Sequence, residues 1–151
     1  MSTYTDVIIA GFGGQGVLLI GNLLAQAGLE AGLNVTFIPV YGAEMRGGTA
    51  NCTVVVSAEE IGSPIIKRPK SLIVMNQPSL DKFQPRLEKG GVQIVNADMV
   101  DTACIDTKRT KSYPIKVNTL AEAHGGARTA NMVALGAYLA ATRVVPLKAA
   151  I

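Results

Sequence analysis

The stretch VIIAGFGGQGVLLIGNLLAQAGLEAG, residues 7 to 32, decides the fold. Val7, Ile8, Ile9 and Ala10 form an unbroken apolar run that stops at glycine, the pattern of a strand covered on both faces of a parallel sheet. Beyond the glycines the period changes. Ile20, Leu23, Leu24 and Ala27 recur at i, i+3, i+4 and i+7, which predicts a helix that turns one apolar stripe to that strand and ends near Gly32. Between the two, Gly11, Gly13 and Gly16 match G-x-G-x-x-G in the context the motif requires, after a strand and opening a helix. Such glycines permit a tight turn and let backbone N–H groups meet an anion at the positive end of the helix dipole. They serve equally to seat the helix against the strand, so the motif alone admits a phosphate site or a packing device.

The same stretch and its flanks weigh against four other readings. It carries no charge between Asp6 and Glu30, a length that would cross a bilayer, but the crowded glycines with Gln15, Asn22 and Gln26 read as strand, turn and helix. Met1 to Asp6 lacks the basic flank of a secretory signal. A dinucleotide site needs an acidic residue about 20 positions on, at the end of the second strand, to hold the ribose. Between Gly16 and Met45 the acids are Glu30, inside the helix, and Glu44, beyond the strand. A nucleotide-hydrolysing loop needs lysine where Val17 stands. A stand-alone NAD domain or NTPase is therefore disfavoured.

Working outward, Val35 to Val40 predicts a second strand, weakened at its far end by Pro39. A glycine-rich stretch, Tyr41 to Gly48, leads into a third, Cys52 to Val56, of β-branched character. Leu72 to Met75 and Val92 to Val95 read as strands either side of a helical segment with Leu80, Phe83 and Leu87. Tyr113 to Val117 suits an edge strand, because Pro114 cannot donate to a ladder. The span from about Arg128 to Thr142 reads as a helix apolar nearly all round, with one face for the sheet and the other for a partner. Strands alternating with helices predict an α/β fold, a Rossmann-like three-layer sandwich with a mostly parallel sheet.

The 151 residues fit one domain, 1–151. With 48% apolar, 17% charged and 5% aromatic residues, the surface is poor in charge and suits a buried partner; isolated copies are expected to pair through it. The net charge of +3 is scattered except at Lys67, Arg68 and Lys70, a solvated loop or an anion contact. Few aromatics are present to stack on bases, so nucleic acid is not an expected partner. Cys52 and Cys104 match neither a zinc pair nor an iron–sulfur run, and no metal set is expected; reduced thiols in the cytoplasm are. Pro146 suits the first turn of a helix, yet the sequence stops five residues later, so a final helical segment is expected to be missing.

Four stretches taken together carry a family resemblance: IAGFGGQG from Ile9 to Gly16, YGAEMRGGTA from Tyr41 to Ala50, SLIVMNQPSL from Ser71 to Leu80, and ARTANMVALGA from Ala127 to Ala137. In this order they resemble the gamma subunit, or gamma domain, of the pyruvate and 2-oxoacid:ferredoxin oxidoreductases. The resemblance implies an accessory subunit of an enzyme that oxidatively decarboxylates a 2-oxoacid to its acyl-coenzyme A, nearest to 2-oxoglutarate-type enzymes, with pyruvate, branched-chain and indolepyruvate versions close behind. It implies alpha, beta and ferredoxin-like delta partners, which would hold thiamine diphosphate, Mg and the iron–sulfur clusters, and ferredoxin or a similar acceptor. This chain would hold no cofactor alone and contribute a coenzyme A contact.

The expected cofactor-binding residues are Gly11, Gly13, Gly14, Gln15 and Gly16 of the turn with Arg46, Gly47 and Gly48 of the second motif, which lies beside the turn at the carboxyl end of the sheet. The Arg46 fork suits a coenzyme A phosphate or a neighbouring carboxylate, or else an internal ion pair with Glu44. Tyr41, Glu44, Met45 and Asn131 are expected to shape the loop or meet a partner, Asn131 alternatively being a buried amide satisfied by backbone. Thr49 and Asn51 are similar cases. His124, the one histidine, precedes Gly125 and Gly126 and lies two positions from Glu122, so it reads as a helix-end residue. No catalytic residue is assigned to this chain.

Overall fold

The computed structural model describes residues 4–40 and 49–144. Strand β1 (Tyr4–Phe12) runs through a 3-10 turn (Gly13–Gln15) into helix α1 (Val17–Glu30). Strands β2 (Asn34–Val40), β3 (Thr49–Ser57) and β4 (Ser71–Val74) follow, then α2 (Gln77–Phe83), β5 (Val92–Asn96), β6 (Lys111–Ile115), α3 (Val117–His124) and α4 (Ala130–Thr142). Each strand expected from the sequence is present. The segment after Gly126 differs in detail: Ala127–Thr129 form a 3-10 turn, and the α-helix begins at Ala130.

The six strands form one sheet in the order β2-β3-β1-β4-β5-β6. β1, β4, β5 and β6 are parallel neighbours, while β3 pairs antiparallel with both β1 and β2. The opening β-turn-α-β reading holds in element order, but β2 does not lie beside β1. β3 returns between them, its Cys52 opposite Ile9 on one side and Pro39 on the other. The strand that a dinucleotide fold uses to bring an acidic residue to the first βα turn is thus displaced to the sheet edge, which agrees with the missing acid.

β1 is the central strand, and Val7 to Gly11 are buried. Its alternation assigns the two faces. Val7 and Ile9 join Ile20 and Leu24 of α1, Ala134, Leu135, Tyr138 and Leu139 of α4, and Val117 of α3. Ile8 and Ala10 join Leu72, Val74, Leu80, Phe83 and Leu87 on the opposite face, beneath α2. Helices therefore cover both faces of the sheet, the expected three layers. β6 sits at an edge, where the missing N–H of Pro114 is tolerated. In α4 the inward face is buried, while Met132 on the other side is 38% exposed. None of the described helices is long and apolar enough to cross a membrane.

Candidate functional site

The carboxyl ends of β1 and β4 and the starts of α3 and α4 open onto a crevice of about 300 Å3, lined by Gln15, Gly16, Met75, Asn118, Arg128, Ala130 and Asn131. This is where open α/β sheets place their ligands, because helices starting at the strand ends turn their N-termini inward. α1 begins at Val17 behind Gly16, α3 supplies Asn118 from its first turn, and α4 supplies Ala130 and Asn131 from its start.

The glycine turn is built for close approach. Gly16 has φ +71°, the left-handed region, and a Cβ there would lie 2.5 Å from Asn131 Nδ2. A Cβ on Gly11 would lie 2.6 Å from Gln15 Oε1 and 2.8 Å from Met75 Cβ. Both glycines are thus required by neighbouring side chains, which realises the packing half of the motif's two readings. The first hydrogen bond of α1 joins Ile20 N–H to Gly16 O, so the amides of Val17, Leu18 and Leu19 precede the helical ladder. No side chain caps them, and the first turn carries no acid.

Gln15 acts within the chain. Its Oε1 accepts the Phe12 N–H at 2.7 Å and its Nε2 donates to Met75 O at 3.1 Å, tying the turn to the end of β4. Asn96 Nδ2 donates to the same Met75 carbonyl at 3.3 Å and to Asn118 Oδ1 at 2.8 Å. Replacing Gln15 by alanine is expected to cost about 1–3 kcal/mol, since the half-buried Phe12 amide loses its acceptor. A thermal melt checks this: a fall of about 2–4 °C per kcal/mol is expected for a domain of this size.

Of the residues singled out in the sequence, the structure gathers Gln15, Gly16 and Asn131 at the crevice. Asn131 approaches the glycine turn, its Nδ2 2.5 Å from where a Cβ on Gly16 would stand. Tyr41, Glu44, Met45, Arg46, Gly47 and Gly48 lie outside the described residues. Asn51 is buried on β3, beside a separate small cavity under Ile38, Ile65 and Phe83. His124 closes α3, exposed, with Gly125 as its cap. Asn118, Arg128 and the Met75 carbonyl were not singled out. Arg128 and Met75 stand inside quoted motifs, whereas nothing in the sequence around Asn118 marks it.

Neither cysteine fits a cluster ligand. Cys52 lies beneath α1 with its thiol donating to Val17 O at 3.8 Å, and burial pushes its pKa up to about 12. Cys104 is exposed in a 3-10 turn (Thr102–Cys104). Among the described residues no three His, Cys, Asp or Glu side chains gather as a metal set. Alkylation at pH 8 under native conditions is expected to modify Cys104 and spare Cys52, since the thiolate is the nucleophile. Mass spectrometry of the modified chain checks it.

Fold and crevice together define an α/β domain with a crevice at the carboxyl ends of parallel strands, lined by no carboxylate among the described residues. The chain belongs to the pyruvate ferredoxin/flavodoxin oxidoreductase family, whose sequence profile matches residues 6–151. It is 42% identical over 134 residues to ketoisovalerate oxidoreductase subunit VorA of Methanothermobacter thermautotrophicus, a match covering 89% of this chain and 28% of that protein. The chain thus spans about a quarter of that relative's length. With 2-oxoglutarate synthase subunit KorC of Methanothermobacter marburgensis it shares 40% identity over 151 residues, covering 96% of this chain and 81% of the relative. In three dimensions it resembles the gamma subunit of a keto/oxoacid ferredoxin oxidoreductase from Geobacter sulfurreducens, with TM-score 0.83, 30% identity, and 97% and 82% of the two chains covered. It also resembles part of the 2-oxoglutarate:ferredoxin oxidoreductase of Magnetococcus marinus solved with 2-oxoglutarate, coenzyme A and succinyl-CoA, with TM-score 0.80, 25% identity, and 91% and 24% covered. These relatives are parts of oxidoreductases, the enzyme class the sequence resemblance implied.

Proposed function

We propose that the chain is the gamma-type accessory subunit of a 2-oxoacid:ferredoxin oxidoreductase, and that the assembled enzyme converts 2-oxoglutarate and coenzyme A to succinyl-CoA. The observation that carries the choice of acid is the match to KorC, which covers 96% of this chain and 81% of that protein. A second reading, a branched-chain 2-oxoacid, rests on the slightly higher identity to VorA, confined to 28% of that longer chain.

In this reading thiamine diphosphate, Mg and the iron–sulfur clusters sit on alpha, beta and delta partners. The described residues fit none of them, so no step of decarboxylation or electron transfer is assigned to this chain. Its contribution is the crevice at the strand ends and the exposed side of α4. The first meets coenzyme A together with Arg46, Gly47 and Gly48; the second meets a partner. The test is the 2-oxoacid preference of the assembled enzyme in coenzyme A-dependent dye reduction. A kcat/KM for 2-oxoglutarate well above that for 3-methyl-2-oxobutanoate and pyruvate supports the proposal; the reverse order replaces it with the second reading.

A further inference from the structure

The small cavity on the α2 face of the sheet is ringed by positive charge. Its volume is about 220 Å3, and it is lined by Ile8, Ile38 and Thr53 of the strands, Ile65 of the β3–β4 connection, and Phe83 and Arg86. Its mouth is apolar: Ile65 is 73% exposed and Val40, which also lines it, is 45% exposed. Lys82 Nζ stands 5.3 Å and Arg86 Cζ 5.5 Å from the centre of the Phe83 ring. Arg86 donates through Nε to Lys67 O and through Nη2 to Ile66 O, both at 3.0 Å, which brings the exposed Lys67 and Arg68 beside the end of α2.

The basic run read in the sequence therefore divides. Lys70 pairs with Glu88 at 3.5 Å, whereas Lys67 and Arg68 join Lys82 and Arg86. Among the described residues no carboxylate forms an ion pair with these four. Asp81, next to Lys82, accepts from Gln77 Nε2 at 2.8 Å, and Glu59 lies at the far end of the connection, where its carbonyl accepts from Asn34.

The volume is below the range of small-molecule sites, about 300–1,000 Å3, and suits one bulky side chain, the anchor of a protein contact. Cations around an apolar socket match a segment with carboxylates on either side of that anchor. A second copy of this chain does not fit, because a two-fold contact would set the patch against itself. Nucleic acid finds no stacking surface, since Phe83, the aromatic ring at the site, is 2% exposed.

We propose that this cavity docks an acidic segment of a sister subunit, seating one bulky apolar side chain between Ile38, Ile65 and Phe83 and pairing its carboxylates with Lys67, Arg68, Lys82 and Arg86. The identity of the partner rests on the accessory-subunit reading above. The test compares the assembled enzyme from native cells with the chain alone, using a carbodiimide, which joins lysine directly to carboxylate, and mass spectrometry of the linked peptides. Links from Lys67 or Lys82 to an Asp or Glu of a sister subunit are expected, together with protection of both lysines from acetylation in the assembly. Lys67→Glu with Lys82→Glu, at exposed positions, is expected to weaken retention of the chain about tenfold at about 0.1 M salt and by less at higher salt. Ile65→Ser should weaken it at every salt concentration, and Lys111→Glu, on the opposite edge strand, should leave it unchanged. An equal loss in Lys111→Glu, or links to a second copy of this chain, would overturn the proposal. An assembly that keeps its sister subunits while Lys67 and Lys82 link only within this chain and acetylate as in the chain alone overturns the docking site and leaves the subunit reading standing. Absence of sister subunits overturns both.

Discussion

Gly16→Ala is expected to destabilise the chain by about 2–4 kcal/mol, because two costs fall on one position. The first is conformational: φ +71° sits in the left-handed region, where an L side chain costs about 1–3 kcal/mol. The second is steric: the new methyl would lie 2.5 Å from Asn131 Nδ2 and 3.1 Å from its Cγ, and Asn131 is held in the buried start of α4. Overpacking of this kind costs about 1–3 kcal/mol. A denaturant midpoint lowered at unchanged slope is the expected signature. Gly16→Ala with Asn131→Ala should recover the steric share and leave the conformational one. A double variant as unstable as the single one would show that the turn and α4 do not depend on each other there.

Gly21→Val is expected to cost about 2–3 kcal/mol for a different reason. Gly21 lies mid-helix in α1 with ordinary backbone, so valine gains helix propensity there, about 0.4 kcal/mol. The gain is outweighed by the sheet below. A Cβ there would meet Cys52 Sγ at 2.5 Å and Phe37 Cε1 at 2.8 Å, and the valine methyls would reach further. Gly28, two turns on, faces Val35 and Val56 in the same way, so α1 rides close to β2 and β3 along its length. Lifting α1 would also move its N-terminus at the crevice, which gives the variant a functional readout besides its melt. Cys52→Ala in the same chain removes the closest atom and should restore about half of the loss; no restoration would place the strain at Phe37 instead.

These two glycines mark how much the sequence disclosed. The run from Val7 to Ala10, the glycine turn and the stripe of Ile20, Leu24 and Ala27 announced β1, the turn and α1, because local period and local breakers coincide there. The position of β3 was not legible. Its β-branched residues specify a strand, but neighbour and direction depend on pairing across residues 41–48, which local pattern does not encode. The site was half legible for a related reason. Gln15 looks free in sequence and is spent on Phe12 and Met75, while Asn96 and Asn118 become a donor relay only because two strand ends and a helix start meet. Arg128 and Asn131 stood in a recognised motif, yet their convergence on Gly16, over a hundred residues earlier, needed the fold.

The central claim, that this chain is the gamma-type subunit of a 2-oxoacid oxidoreductase, is tested most directly by affinity purification of the tagged chain from its native cells. The eluate is assayed for co-eluting proteins, bound thiamine diphosphate and iron, and 2-oxoacid- and coenzyme A-dependent dye reduction. Co-elution of larger subunits carrying both cofactors, with that activity, is the predicted result. A chain that elutes alone with a bound nucleotide and no such activity would contradict the account and make the crevice the site of a free-standing binding module.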